Sequence, residues 1–267
     1  MFRSSAPAPV SPPRDAPLGP PRRRQILGEL ATPVDVLRLL ATTPGLRRGP
    51  RGDGSVVVDI PGWRAPEQAL APLRRYLAWL GYDARGWALG VNDGSPDASA
   101  ERLVREKLEP WVRSSGRPLH LVGWSLGGVV AREAARAAPG LVASVVTFGS
   151  PIVGGPVHTV AAREYSGEQR LEILRRIEAA EQRPLSRPLT VIYTRRDGIV
   201  DWRACLDHAT PHAVHYEVDA THFGLGLNPD VWRITARALA GCATGGSADP
   251  ARARDDQSFG AGLSSSG

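Results

Sequence analysis

Apolar residues along this chain fall into short β-branched runs that alternate with longer stretches of helical spacing. The runs typical of buried strands are residues 55–60, 85–89, 119–122, 141–148, 189–194 and 213–218. Stretches with apolar residues at helical spacing are 34–41, 69–80, 99–112, 126–138, 167–181 and 230–239. Because parallel strands need helical crossovers, this alternation predicts a mostly parallel central sheet with helices on both faces.

The same pattern sets the expected domain boundaries. Residues 1–50 are rich in Pro and Arg and predict a flexible arm, disordered up to about residue 24, with a short helix at 34–41. The α/β domain is expected over residues 51–242, and the polar residues 243–267 are expected to form a disordered tail.

Residues 151–188 interrupt the alternation with a Gly/Pro-rich loop followed by a charged helix. An insertion at the carboxyl end of a sheet strand usually overhangs the active site, so the segment predicts a small cap or lid. The alternative is an ordinary crossover helix between two parallel strands.

The chain has 267 residues and a formal net charge of +6. Residues 1–51 hold nine arginines against three acidic residues, so the excess of positive charge lies in the arm and at its boundary with the domain. A basic arm without an aromatic-interleaved motif does not predict nucleic-acid binding. It could instead touch an acidic membrane surface or a partner, although a solvated tail is the simpler expectation.

Several further features limit the class of protein. No apolar run approaches the length of a membrane span, and the N-terminus lacks the apolar segment of a secretory signal. We therefore expect a cytoplasmic protein without stable membrane insertion. The two cysteines, Cys205 and Cys242, favour buried thiols, with a single bridge as the alternative.

A Gly-x-Ser-x-Gly motif lies between an apolar run and an Ala-rich helical run. Gly123, Ser125 and Gly127 form it, with Leu119–Val122 before it as a strand and Leu126–Ala138 after it as a helix. On a tight strand-to-helix turn, glycines on either side relieve backbone crowding and the serine hydroxyl is lifted off the sheet. This elbow, residues 123–127, predicts Ser125 as the nucleophile of an acyl transfer.

Serine needs a base to take its proton, and the base needs an acid to orient it. Asp197 follows the strand at 189–194, and His222 follows the strand at 213–218, so both are expected at the same sheet edge as Ser125. Ser125, Asp197 and His222 are therefore the predicted catalytic residues. Asp201 is the alternative acid, or it could cap a helix that begins at Trp202.

The chain resembles α/β-hydrolase-fold esterases and lipases, in particular bacterial lipase-like hydrolases with a Gly-Trp-Ser-Leu-Gly-Gly elbow. The likeness covers about residues 55–239 and rests on four segments: Ile60–Trp63, Gly123–Gly128, Tyr193–Trp202 and His222–Gly224. It implies the α/β-hydrolase fold and the Ser-Asp-His chain order of its triad.

The resemblance also implies an oxyanion hole built from the backbone N–H groups of Trp63 and Leu126. Many lipases have His-Gly in the first of these loops, whereas this chain has Pro61 and Gly62. The substitution keeps the backbone donor and leaves open what supports the loop.

The remaining aromatic and imidazole groups have other expected roles. His120 lies within a strand and is expected in the core, and irregularly spaced His208, His212 and His215 do not predict a metal site. Three tryptophans, Trp63, Trp87 and Trp124, could line an acyl pocket or pack structurally, with Trp124 the pocket candidate.

These residues predict a serine hydrolase that cleaves small-molecule or lipid-like carboxylic esters without a metal or organic cofactor. An acyltransferase with the same triad is the first alternative. A non-catalytic binding protein on the same fold is the second, and the presence of all three triad residues argues against it.

Overall fold

The computed structural model describes residues 7–11, 13 and 18–244. Its strands are β1 (Val56–Ile60), β2 (Asp83–Gly86), β3 (Leu119–Trp124), β4 (Val142–Phe148), β5 (Leu189–Tyr193) and β6 (Ala213–Glu217). They form one sheet in the order β2-β1-β3-β4-β5-β6, and each neighbouring pair is parallel. The parallel sheet expected from the alternating pattern is confirmed.

Helices connect and cover these strands. They are α1 (Arg23–Gly28), α2 (Thr32–Leu46), α3 (Ala71–Leu80), α4 (Pro96–Leu103), α5 (Glu109–Ser115), α6 (Leu126–Ala137), α7 (Gly167–Glu181) and α8 (Pro229–Thr244). A short π-helical stretch, Val104–Leu108, joins α4 to α5, so the single helix expected at 99–112 has two α-helical parts.

Alternate side chains of the strands enter two separate apolar layers. On one face Val57, Val122 and Ile192 pack in a layer with residues of α3 and α8. On the other face Val58 and Leu121 pack in a layer with residues of α4 and α6. Because successive strand residues point to opposite faces, a sheet covered on both sides needs the near-continuous apolar strands seen in the sequence.

The second strand differs from its expected position. It ends at Gly86 rather than continuing to residue 89. Ala88 adopts a left-handed conformation with φ 55°, which cannot continue a strand. Trp87 is buried instead, and its Nε1 donates to the carbonyl of Gly90 at 2.8 Å.

The N-terminal region contains more helix than the expected short segment, because α2 extends over Thr32–Leu46. Leu39 and Leu46 from this helix join the apolar layer that contains α3 and α8. The amide of Val10 also donates to the carbonyl of His215 on the edge strand β6, at 2.8 Å. Within the described residues, this part of the predicted arm therefore packs against the sheet domain.

The insertion after β4 contains two 3₁₀ turns and α7. The 3₁₀ turns are Gly155–His158 and Val160–Glu164. Its backbone bonds to the loop after β5: the amide of Val160 donates to Ile199, and the amide of Asp201 donates to His158, each at 2.9 Å. The segment thus connects β4 to β5 and also contacts the loop that carries Asp197.

Other predictions concern the cysteines, the termini and membrane spans. Cys205 and Cys242 are both free thiols. Residues 245–267 of the predicted tail, and residues 1–6, 12 and 14–17 of the predicted disordered N-terminus, lie outside the described residues. No helix in the described ranges combines the length and apolar character that crossing a bilayer requires.

His120 in β3 is buried, and its Nδ1 lies 2.7 Å from the hydroxyl of Ser144. Burial lowers the pKa of His120 to about 4 from its ordinary 6.5. Between these pH values the unfolded chain binds a proton at this site that the folded chain does not, so stability falls as the pH falls.

We expect this histidine to remove about 3 kcal/mol of stability as the pH drops from about 6.5 to about 4. The variant His120→Gln should lack this contribution. Urea unfolding of both proteins across that pH range measures it. Parallel stability curves for the two proteins would contradict the assignment.

Candidate active site

The turn between β3 and α6 holds Ser125 in an unusual backbone conformation. Ser125 has φ 54° and ψ −127°, a region that residues with a side chain rarely occupy. A side chain on Gly123 would overlap the backbone of Gly127 and Gly128, and one on Gly127 would overlap the carbonyl of Ile60. The two glycines of the motif therefore allow the close contact of β1, β3 and α6 that this turn needs.

Asp197 and His222 meet at the carboxyl ends of β5 and β6. The Nδ1 of His222 lies 2.7 Å from Oδ2 of Asp197, and both side chains are almost completely buried. The other carboxylate oxygen, Oδ1, accepts the amides of Ile199 at 2.9 Å and Val200 at 2.7 Å. These bonds fix the carboxylate, so its second oxygen is directed to the imidazole.

Asp201 has a different set of partners. Its Oδ1 accepts from the amide and the guanidinium of Arg203, both at 3.1 Å, and its Oδ2 accepts from the amide of Gly19 at 2.9 Å. It thus caps the 3₁₀ turn Trp202–Cys205, the second of the two roles considered for it. Asp197, not Asp201, is the carboxylate that bonds to His222 in this structure.

The loop after β1 approaches Ser125 closely. A Cβ on Gly62 would lie 3.2 Å from the Cβ of Ser125. The two predicted oxyanion donors therefore belong to segments that adjoin the serine.

Asn92 supplies the support for this loop that sequence reasoning left open. Its side chain is fully buried, and its Nδ2 donates to the carbonyl of Pro61 at 2.9 Å. The carbonyl of Asn92 accepts from the amide of Arg64 at 2.8 Å. In the sequence, an Asn within a Gly/Asp-rich loop does not differ from an ordinary loop residue, so its buried hydrogen bond to Pro61 could not be predicted.

The three tryptophans considered for a pocket have different surroundings in the structure. The ring of Trp124 lies 5.7 Å from that of His222 and 6.4 Å from that of Phe223. The ring of Trp63 is exposed beside Arg64, whose guanidinium carbon lies 4.4 Å from the ring centroid, whereas Trp87 is in the core layer of α4 and α6. Trp124 therefore adjoins residues of the predicted site, and Trp87 packs structurally.

Glu29 lies in the region predicted as a flexible arm and was missed by sequence reasoning. Its Oε1 accepts the amides of Gly198 at 2.8 Å and His222 at 2.9 Å, and its Oε2 accepts the amide of Phe223 at 3.1 Å. One carboxylate thus joins the loop of Asp197 to the loop of His222. A single acidic residue in an Arg-rich segment carries no pattern that would indicate this role.

His208 and His215 have partners of their own. Nε2 of His215 accepts the amide of Asp207 at 3.1 Å, and His208 stacks on His215 with ring centroids 6.5 Å apart. Among the described residues, no group of three or more His, Cys, Asp and Glu side chains could hold a metal ion.

Comparisons with known proteins bear on the fold and on part of the chain. The family described as alpha/beta hydrolase matches residues 67–167, a segment that contains Ser125 and ends before Asp197. Over 59 residues the chain is 44% identical to a pimeloyl-[acyl-carrier protein] methyl ester esterase from Methylococcus capsulatus. That stretch covers 22% of this chain and spans only 21% of the esterase.

Solved structures resemble a much larger part of the chain. Lipase B from Aspergillus fumigatus has a TM-score of 0.54 at 16% identity, covering 73% of this chain and 57% of the lipase. An esterase from Pyrococcus furiosus has a TM-score of 0.51 at 16% identity, covering 71% and 83% of the two chains. A gene product from Listeria innocua has a TM-score of 0.54 at 15% identity, covering 70% and 94%. This protein therefore has the α/β-hydrolase fold that the sequence predicted.

Proposed function

We propose that this protein is a serine hydrolase that cleaves carboxylic esters through an acyl-enzyme on Ser125. The observation that carries the proposal is the buried 2.7 Å contact between Asp197 and His222 at the same sheet edge as Ser125. A fixed carboxylate on Nδ1 leaves the Nε2 of His222 as the atom that can accept the serine proton. The esterase name of the Methylococcus capsulatus relative supports an ester substrate.

In this mechanism His222 removes the proton of Ser125 while the serine oxygen attacks the ester carbonyl. Asp197 holds the imidazole tautomer and stabilises the imidazolium that forms. The developing oxyanion is held by the amides of Trp63 and Leu126, and each such donor contributes about 10²–10³-fold in rate.

When the tetrahedral species collapses, the bond to the alcohol breaks and His222 gives its proton to the leaving oxygen. Water then attacks the acyl-enzyme with the same imidazole as base, and a second collapse releases the acid and restores Ser125. Every proton passes through His222. No step requires a metal ion or an organic cofactor.

Burst kinetics with short- and medium-chain p-nitrophenyl esters test the nucleophile. The native protein should release a burst of p-nitrophenol followed by steady turnover. Ser125→Ala should abolish the burst and lower turnover by about 10³-fold or more, because it removes the atom that forms the acyl-enzyme. Equal rates for the two proteins would refute the assignment of Ser125.

The two aspartates of the loop after β5 form a matched pair of variants. Asp197→Asn should lower kcat by about 10³–10⁴-fold, because an amide cannot stabilise the imidazolium or select its tautomer. Asp201→Asn should leave kcat within about threefold, since the change weakens a cap, an ion pair with Arg203 and a bond from Gly19, none of which involves His222. Steady-state kinetics of both variants measure this contrast, and the reverse order of effects would make Asp201 the acid.

Glu29 is expected to act as a positioning residue for the pair Asp197–His222. Glu29→Ala removes the acceptor shared by three amides and should lower kcat by about tenfold or more while KM stays within about twofold. Glu29→Gln keeps one oxygen that can accept from both loops and should restore most of the rate.

Gln25→Ala is the matched control for Glu29, because the side chain of Gln25 also bonds to the loop after β5, at the carbonyl of Arg195, but does not contact His222. We expect this control to leave kcat unchanged. If Glu29→Ala and Gln25→Ala lower kcat equally, or if Glu29→Gln fails to restore the rate, Glu29 has no specific role in positioning the pair.

A further inference from the structure

The N-terminal segment made of α1, the 3₁₀ turn Glu29–Ala31 and α2 exposes several large aliphatic side chains. Five of them follow one another at spacings of three and four residues and form what we call the apolar strip: Leu27 (68% exposed), Leu30 (81%), Val34 (61%), Leu37 (65%) and Leu40 (65%). Single exposed leucines are common on soluble proteins, but five at helical spacing in one segment are typical of an interaction surface.

The orientation of α2 is fixed by polar contacts on its inner side. Asp35 is buried, and its Oδ2 accepts the amide of Thr221 at 3.2 Å and the hydroxyl of Thr221 at 3.0 Å. The hydroxyl of Thr32 lies 2.9 Å from the same hydroxyl. The helix thus turns Asp35, together with Leu39 and Leu46, towards the sheet domain and leaves Val34, Leu37 and Leu40 on its outer side.

Positive charge flanks the apolar strip at both ends. The exposed arginines are Arg22, Arg23 and Arg24 before it and Arg47 and Arg48 after it. In residues 18–48 the only carboxylates are Glu29 and Asp35, and the hydrogen bonds of both are made to the loops of the site. Arg38, within the strip, is paired with Asp219 and Asp230 of neighbouring loops and helices, so among the described residues the unpaired positive charge lies at the two ends of the segment.

The apolar strip begins beside the candidate site. Glu29 lies between Leu27 and Leu30 and bonds to the amides of His222 and Phe223. The ring of Phe223 is half exposed and lies 5.7 Å from the ring of His222. An apolar surface that held the strip would therefore meet the edge of the site as well.

We propose that the apolar strip is a docking surface for an anionic lipid bilayer. Apolar side chains flanked by arginines are the pattern of a helix that lies in the interface of such a membrane, with its leucines among the acyl chains and its arginines at the headgroups. Docking of a second copy is disfavoured, because a symmetric contact through this face would bring the arginines of both copies together.

Docking would present the site to esters dissolved in the lipid surface. That substrate class rests on the proposed ester hydrolysis. The docking itself does not depend on hydrolysis. Binding can therefore be measured without turnover, in the full chain and in its Ser125→Ala variant alike.

Co-sedimentation with vesicles tests the proposal. The chain should bind vesicles of phosphatidylcholine mixed with phosphatidylglycerol about tenfold or more tightly than vesicles of phosphatidylcholine alone, and added salt should weaken the binding. The double variant Leu37→Gln/Leu40→Gln should bind about tenfold or more weakly than the native chain. An unfolding temperature equal to that of the native chain would show that the fold of this variant is intact.

Leu171→Gln is the control, compared with Leu37→Gln alone. Leu171 is also an exposed leucine on a helix, at 56% exposure, but it lies on α7 and outside the apolar strip. We expect it to leave vesicle binding unchanged. Equal loss in Leu171→Gln and Leu37→Gln, no sedimentation with either kind of vesicle, or a dimer that Leu37→Gln/Leu40→Gln dissociates would each overturn the proposal.

Inactivity and failure to dock have separate signatures. If the native chain and Ser125→Ala bind mixed vesicles equally but neither hydrolyses an ester, docking stands and the proposed hydrolysis falls. If the chain hydrolyses soluble esters but does not sediment with vesicles, the proposed hydrolysis stands and the proposed docking falls.

Discussion

The close approach of β1, β3 and the first turn of α6 is the constraint on which the candidate site depends. Gly123 and Gly127 allow backbones to touch where any side chain would overlap them, and the turn between them holds Ser125 at φ 54°. Such a conformation persists only where the surrounding structure enforces it, and it is concentrated at functional sites. The same approach brings Gly62 against Ser125, so the serine and the two segments of the expected oxyanion donors meet at one corner of the sheet.

The second half of the site depends on a contact between distant parts of the chain. Asp197 and His222 are on separate loops, and Glu29 bonds to both. The helices that bring Glu29 there also carry the apolar strip on their outer side. A segment with the composition of a flexible arm thus carries carboxylates that organise the loops and leucines that join the core on its inner side, and the apolar strip on its outer side.

Sequence reasoning succeeded where a local pattern has one physical meaning. The β-branched runs predicted the strands, and Gly-x-Ser-x-Gly located Ser125 between β3 and α6, because period and glycine spacing are local properties. The hydrogen bonds of Asn92 and Glu29 were not predictable, because each joins a side chain to a loop that is distant in the sequence. The N-terminal helices were underestimated for a related reason: α2 has apolar residues on its exposed side, so its pattern does not reveal its buried face.

The central claim is that His222, held by Asp197, activates Ser125. Labelling with a fluorophosphonate probe, followed by peptide mapping, tests it most directly, because the probe reacts with an activated serine and needs no knowledge of the substrate. The account predicts a single label on Ser125 and labelling slowed by about 10³-fold or more in His222→Gln. A label on another residue, or an unchanged rate in His222→Gln, would contradict it.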